Sequence, residues 1–205
     1  MHEPTELAYR EQGLRKVIIT RGLTSVVRLD LCQNFLTSFT LMPDQLPHLR
    51  ELLLDDNQLK VIPKLLLLRS NFKLSLRRNK LTQSLIFDEN NPTMELDCSE
   101  CWLNFLPVTR KDGSLPRLGK LQLTKNSIRG TITVHEYPNE LDLSYNRIER
   151  FLAYSSLTIN YNLSHNRLRE VKAQLAGRLD VSYNPLRHCN LAREVTEVVT
   201  EATLF

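Results

Sequence analysis

Few residues in this chain have the types and spacing that chemistry requires. Cys98-Ser99-Glu100-Cys101 is a C-x-x-C, the spacing of a redox dithiol or of half a zinc site. A redox pair needs an exposed thiolate at a helix N-terminus, and zinc needs two further ligands close by. His165 has neither a second histidine nor a carboxylate pair at ligand spacing to share a metal. Asn162-Leu163-Ser164 is a glycosylation sequon, whereas Asn91-Pro92-Thr93 is disqualified by its proline. The glycines, at 13, 22, 113, 119, 130 and 177, are isolated and build neither a dinucleotide fingerprint nor a phosphate-cradling loop. No hydrolase triad or pair of carboxylates on a rigid site is present. No catalytic, cofactor-binding or metal-ligating residue is therefore assigned, and no cofactor is implied.

The elements that position these residues are set by a repeat. Asn139 to Ile148 reads N-E-L-D-L-S-Y-N-R-I, with Leu141 and Leu143 two apart, Asn146 three further on and Ile148 two beyond. The template L-x-x-L-x-L-x-x-N-x-L can be laid down eight times between residues 26 and 188. The L-x-L pair is the two-residue period of a strand with one face buried. A strand of about three residues cannot bury that face alone; stacked copies bury a continuous core, which is the logic of a solenoid. The Asn positions, 34, 57, 79, 126, 146, 166 and 184, are expected to point inward and bond the backbone of neighbouring coils. In this register Cys98 replaces a strand leucine and Cys101 replaces the Asn, so both are read as buried and structural.

Eight registered copies make the chain resemble the leucine-rich repeat family. The resemblance implies an α/β solenoid shaped as a curved horseshoe, with a parallel sheet on the concave face and short helical turns or extended segments on the convex one. The Asn slots recur at intervals of 23, 22, 22, 25, 20, 20 and 18 residues. The early coils thus have room for a helical turn on the outer side, and the last three are expected to run extended. Residues 1–25 are read as an N-terminal cap containing a strand at Val17 to Thr20. Residues 26–188 form the repeats. Residues 189–205 are read as a capping helix, with Leu191, Val195, Val198 and Val199 on its apolar side.

Two columns face outward. The residue before the first strand leucine runs Arg28, Glu51, Lys73, Glu95, Lys120, Glu140, Asn160, Arg178. Its alternation predicts lateral ion pairs and argues against a polyanion there. The residue before the Asn slot runs Gln33, Asp56, Arg78, Glu100, Lys125, Tyr145, His165, Tyr183. The three rings are expected to stack, with Arg147 and Arg167 beside them. Tyr and Arg dominate interface hot spots, so Tyr145, His165, Tyr183, Arg147 and Arg167 are the candidate partner-binding residues.

The resemblance implies a non-catalytic module that recognises a protein partner through the concave face. The net charge of +4 is too mild to argue for nucleic acid. The longest apolar run, Leu65 to Leu68, is far short of a membrane span. An extracellular reading is carried by Asn184-Pro185-Leu186-Arg187-His188-Cys189, which looks like the start of an extracellular cysteine-bearing cap, as in insect proteins of this family that act in innate immunity. Against that, Glu3 and Glu6 stand where a secretory signal would carry bases. Extracellular recognition and an intracellular adaptor, scaffold or regulatory protein of the same family both remain open.

Overall fold

A computed structural model describes residues 4–19, 22–42, 44–65, 72–82, 86–87, 94–106, 108–109, 118–136 and 138–203. Thr20, the sequon-like Asn91 to Thr93 and the last two residues lie outside that set. The strands follow the leucine pairs. In chain order they are β1 (Glu6–Ala8), β2 (Arg28–Asp30), β3 (Thr40–Leu41), β4 (Glu51–Leu53), β5 (Lys64–Leu65), β6 (Phe72–Ser75), β7 (Ile86–Phe87) and β8 (Met94–Asp97). Then come β9 (Val108–Thr109), β10 (Lys120–Gln122), β11 (Arg129–Val134), β12 (Glu140–Asp142), β13 (Arg147–Ala153), β14 (Asn160–Asn162), β15 (Glu170–Asp180) and β16 (His188–Val199).

The short strands β1, β2, β4, β6, β8, β10, β12 and β14 stack in that order, all parallel, and the second half of β15 continues the stack. The register is the one the repeat dictates: Leu29, Leu52, Leu74, Leu96, Leu121, Leu141, Tyr161 and Leu179 are successive partners. All eight are essentially buried, and each buried leucine contributes about 1.5–3 kcal/mol. The molecule is a parallel β-solenoid.

The outer side corrects the expected α/β horseshoe. Among the described residues there is no helix. The early coils pair their outer sides as two small sheets, β3 with β5 and β7 with β9. The physical reason lies in those segments: Pro47 and Pro63 cannot donate to an i→i−4 ladder, and Val61-Ile62 is β-branched. The last coils do run extended, as β11, β13, β15 and β16. An extended residue covers about 3.3 Å against 1.5 Å in a helix, so a coil of fewer residues closes only when extended.

Both ends differ from expectation as well. Val17 to Ile19 is not a strand; the N-terminal strand is β1, which pairs β2 in parallel. Leu7, Tyr9, Gln12 and Leu14 repeat the template spacing one coil earlier, so this end is a divergent coil. At the other end the expected capping helix is the strand β16, parallel to β15 with a bulge opposite Ala173 to Leu175. Val195, Val198, Val199 and the threonines at 196 and 200 favour a strand. A strand also satisfies the backbone groups of β15, which a helix cannot. Thr203 then takes the Asn position, its hydroxyl donating to the Val181 carbonyl at 3.1 Å.

Candidate functional site

The Asn column builds the turn on which the candidate site stands. Asn146 Oδ1 accepts from the Ile128 N–H at 3.0 Å, and its Nδ2 donates to the carbonyls of Leu123, Leu143 and Ser144. Asn57, Asn79, Asn126, Asn166 and Asn184 repeat this between their own neighbours. The residue before the slot is left-handed whether Asn fills the slot or, as after Glu100, another residue does. Gln33, Asp56, Arg78, Glu100, Lys125, Tyr145, His165 and Tyr183 all have φ between 54° and 57°. That conformation costs a non-glycine residue about 1–2 kcal/mol, yet none of the eight is Gly or Asn. The backbone ladder holds them there: the N–H groups of Tyr145, His165 and Tyr183 donate to the Ser164, Ser182 and Glu201 carbonyls.

The side chains of this slot therefore line up coil upon coil. Tyr145 and His165 stack with centroids 4.1 Å apart and planes 10° apart; His165 and Tyr183 stack at 4.2 Å and 9°. Each stack contributes about 0.5–1.5 kcal/mol. The facing ring surfaces cover one another, so His165 is closed on both faces and each tyrosine on one. Tyr145 and Tyr183 are about half exposed, at 49% and 47%. Arg147 and Arg167, two residues beyond Tyr145 and His165 in the chain, are exposed. The structure thus brings the three rings together; Arg147 and Arg167 are exposed in the same coils.

Several charges of the earlier coils pair with one another. Arg28 lies 3.3 Å from Glu6 and 3.2 Å from Glu51, Lys73 2.9 Å from Glu51, and Lys120 3.1 Å from Glu140. In the αL slot Arg78 grips Asp56 through two hydrogen bonds, and the guanidinium holds the Asp56 carboxyl below its usual range. Glu100 turns back to Arg77 and Arg78. Glu100 and Lys125, successive in the slot, make no ion pair with each other.

A shallow depression of about 330 Å³ lies on the main sheet over β10, β12, β14 and β15. Its polar groups are occupied internally: Lys120 with Glu140, Arg178 with Asp180 and Glu197, Asn162 with Asp142. The sequon residue Asn162 sits here, half-buried, its Nδ2 donating to Asp142 and its Oδ1 accepting from Ser164. Asp30, Asp97, Asp142 and Asp180 accept the N–H two residues on, closing the turn at the strand end.

Cys98 and Cys101 are fully buried, and burial pushes the Cys98 thiol well above its usual value. The Cys101 thiol donates to the Leu76 carbonyl at 2.9 Å, the bond an Asn amide makes elsewhere. Neither is an exposed thiolate. The four cysteines are free, and only Cys189 is exposed. Among the described residues no group of three or more His, Cys, Asp and Glu could hold a metal ion, and no helix is long and apolar enough to cross a membrane.

The left-handed slot and the divergent terminal coils escaped sequence reasoning. The second had a signal in the Leu7, Tyr9, Gln12, Leu14 spacing; the first had none, because the slot carries no glycine.

Fold and surface together define the chain as a parallel β-solenoid repeat protein with a ring column on its C-terminal coils. No family model, curated protein or solved structure matches it.

Proposed function

We propose that the chain is a non-catalytic binding module of the leucine-rich repeat kind, taking a protein partner on the surface formed by Tyr145, His165, Tyr183, Arg147 and Arg167. The observation that carries this is the stacked ring column. Three rings in successive coils occupy a backbone conformation that glycine would adopt more cheaply, and half of each tyrosine remains open. Rigid aromatic rings and arginines are the composition of interface hot spots. The test replaces Tyr145 and Tyr183 by Ala in a chain used as bait. Loss of the bound partner with an unchanged melting temperature supports the reading; retained affinity overturns it.

The Asn184 to Cys189 ending favours an extracellular recognition role of the innate-immune kind. The intracellular adaptor reading rests on a different observation: Cys32, Cys98, Cys101 and Cys189 are all free. Thiol counting after unfolding of protein from its native source separates them. Four reactive thiols favour the adaptor, and fewer favour the extracellular module.

A further inference from the structure

Net charge conceals a concentration of one sign on the C-terminal coils that also carry the ring column. Arg129, Arg147, Arg167, Arg169 and Arg187 are exposed and occupy four successive coils. Arg129 and Arg147 are direct register partners, the Arg167 N–H bonds the Ile148 carbonyl, and the Arg187 N–H bonds the Arg169 carbonyl. Among the described residues none of the five guanidinium groups makes an ion pair or a side-chain hydrogen bond. The contrast with the alternating ladder is direct: there each cation meets a carboxylate one coil away, and here arginine neighbours arginine. Glu149 lies in the bulge of β13, its carbonyl accepting from the Arg169 N–H, and its carboxylate is unpaired among the described residues. Like charges on adjacent strands destabilise a sheet, so the strip is a liability to the free chain that a bound anion would relieve.

We infer that the partner presents an extended acidic protein segment to this strip, its carboxylates gripped by Arg129, Arg147, Arg167, Arg169 and Arg187. This rests on the proposed protein-binding role and names the chemistry of the partner. Guanidinium forks match carboxylates in a two-pronged geometry. Four coils at about 4.8 Å spacing span about 14 Å, the length of four or five extended residues. In the ring column both faces of His165 are covered by Tyr145 and Tyr183, which each keep one face free of a ring partner. That the acidic segment is protein follows from the proposed protein-binding role, and the oligonucleotide and glycan probes below test the other polyanions.

The probe is a fluorescein-labelled eight-residue peptide of alternating Glu and Ala, with the Gln-Ala peptide as its neutral counterpart, followed by fluorescence anisotropy. Binding of the acidic peptide alone is expected, weakening as salt screens exposed charges. The triple variant Arg129→Gln, Arg169→Gln, Arg187→Gln should weaken it at least tenfold. Lys16→Gln with Lys60→Gln, which removes exposed charge elsewhere, should change it less than twofold. Equal binding of the two peptides, or a triple variant within twofold of the parent, overturns the inference. So does tighter binding of a single-stranded oligonucleotide or a sulfated glycan through the same arginines. A protein partner lost on Tyr145→Ala but indifferent to the arginine variants would sink this inference while leaving the binding role intact.

Discussion

Asn146 gives the most direct test of how the solenoid holds together. Its side chain is 7% exposed. The Leu123 and Leu143 carbonyls that it serves also receive Asn126 and Asn166, and the Ser144 carbonyl also receives the Lys125 N–H. The acceptors are thus shared, but the Ile128 N–H has Asn146 Oδ1 as its one partner among the described residues. Asn146→Ala orphans that buried N–H, at about 1–3 kcal/mol, and removes three donations whose net worth is smaller because their acceptors keep a second donor. The expected loss is about 3–5 kcal/mol in total, a fall in melting temperature of roughly 6–20 °C for a chain of this size. Asn146→Asp keeps the acceptor and sets a carboxylate against three carbonyl oxygens. Its folded pKa must rise above the unfolded value, so the variant recovers stability on acidification and loses it as pH rises through the raised value. Thermal melts by circular dichroism at neutral and acid pH read both effects. An Ala variant within about 0.5 kcal/mol of the parent, or an Asp variant whose deficit ignores pH, would refute the account of the Asn column as the main cross-coil brace.

Other predictions address single sites. The Tyr161 hydroxyl is buried without a hydrogen-bond partner, and the ring meets Phe151 edge-on at 5.0 Å. Tyr161→Phe should keep the ring contact and raise stability by about 1 kcal/mol in urea melts. A Cβ at Gly22 would stand 2.6 Å from the Asp44 backbone oxygen, so Gly22→Ala should destabilise by about 1–3 kcal/mol. Asp56 and Asp55 should respond to pH in opposite senses. Arg78 lowers the Asp56 carboxyl from its usual 3.8, so the stability it adds is present above that value and disappears as pH falls through the lowered one. The gap in melting temperature between parent and Asp56→Asn should therefore close on acidification. Burial raises the Asp55 carboxyl, so Asp55→Asn should gain relative stability as pH rises, provided the amide oxygen keeps the Ser75 and Arg77 bonds.

How much of this was legible in the sequence follows from which interactions are periodic. Leu52, Leu74 and Leu96 share a slot whose only requirement is burial, so spacing alone gave their register. The ladder from Arg28 to Glu140 was legible for the same reason, since in-register strands juxtapose equivalent residues. The outer side was not legible, because its residues answer to coil length and to prolines rather than to a repeat. The apolar spacing of Leu191, Val195 and Val198 fits a helix and equally fits a bulged strand; only the unpaired backbone of β15 decides between them. At the candidate site the ring column could be read from the slot. The arginine strip could not, because Arg129, Arg169 and Arg187 occupy a different repeat position from Arg147 and Arg167, and only the path of the outer strands brings the two rows together.

One irregularity shows the Asn column at work by its absence. Besides the C-terminal coil, where Thr203 stands in the slot, two coils lack the Asn: the N-terminal one, with Gln12, and the fourth repeat, with Cys101. In both, the following residue is left-handed, Gly13 at φ 68° and Trp102 at φ 63°. In the fourth repeat the cause is visible. The Leu81 N–H, with no Oδ1 to meet, bonds the Cys101 backbone carbonyl at 3.2 Å, and that turned peptide carries Trp102 with it. Glycine adopts this conformation freely, whereas tryptophan incurs about 1–2 kcal/mol. Cys101→Asn should supply the missing acceptor, release the peptide and raise stability by about that amount. Cys101→Ser offers a donor but no reaching acceptor, so it should bring no gain. Trp102→Gly alone should also stabilise, by less, since glycine orders at greater entropic cost. Combined with Cys101→Asn, its gain should vanish, because the strain it relieves is already gone. Additive gains in this double-mutant cycle would show that the left-handed tryptophan has a cause other than the missing amide.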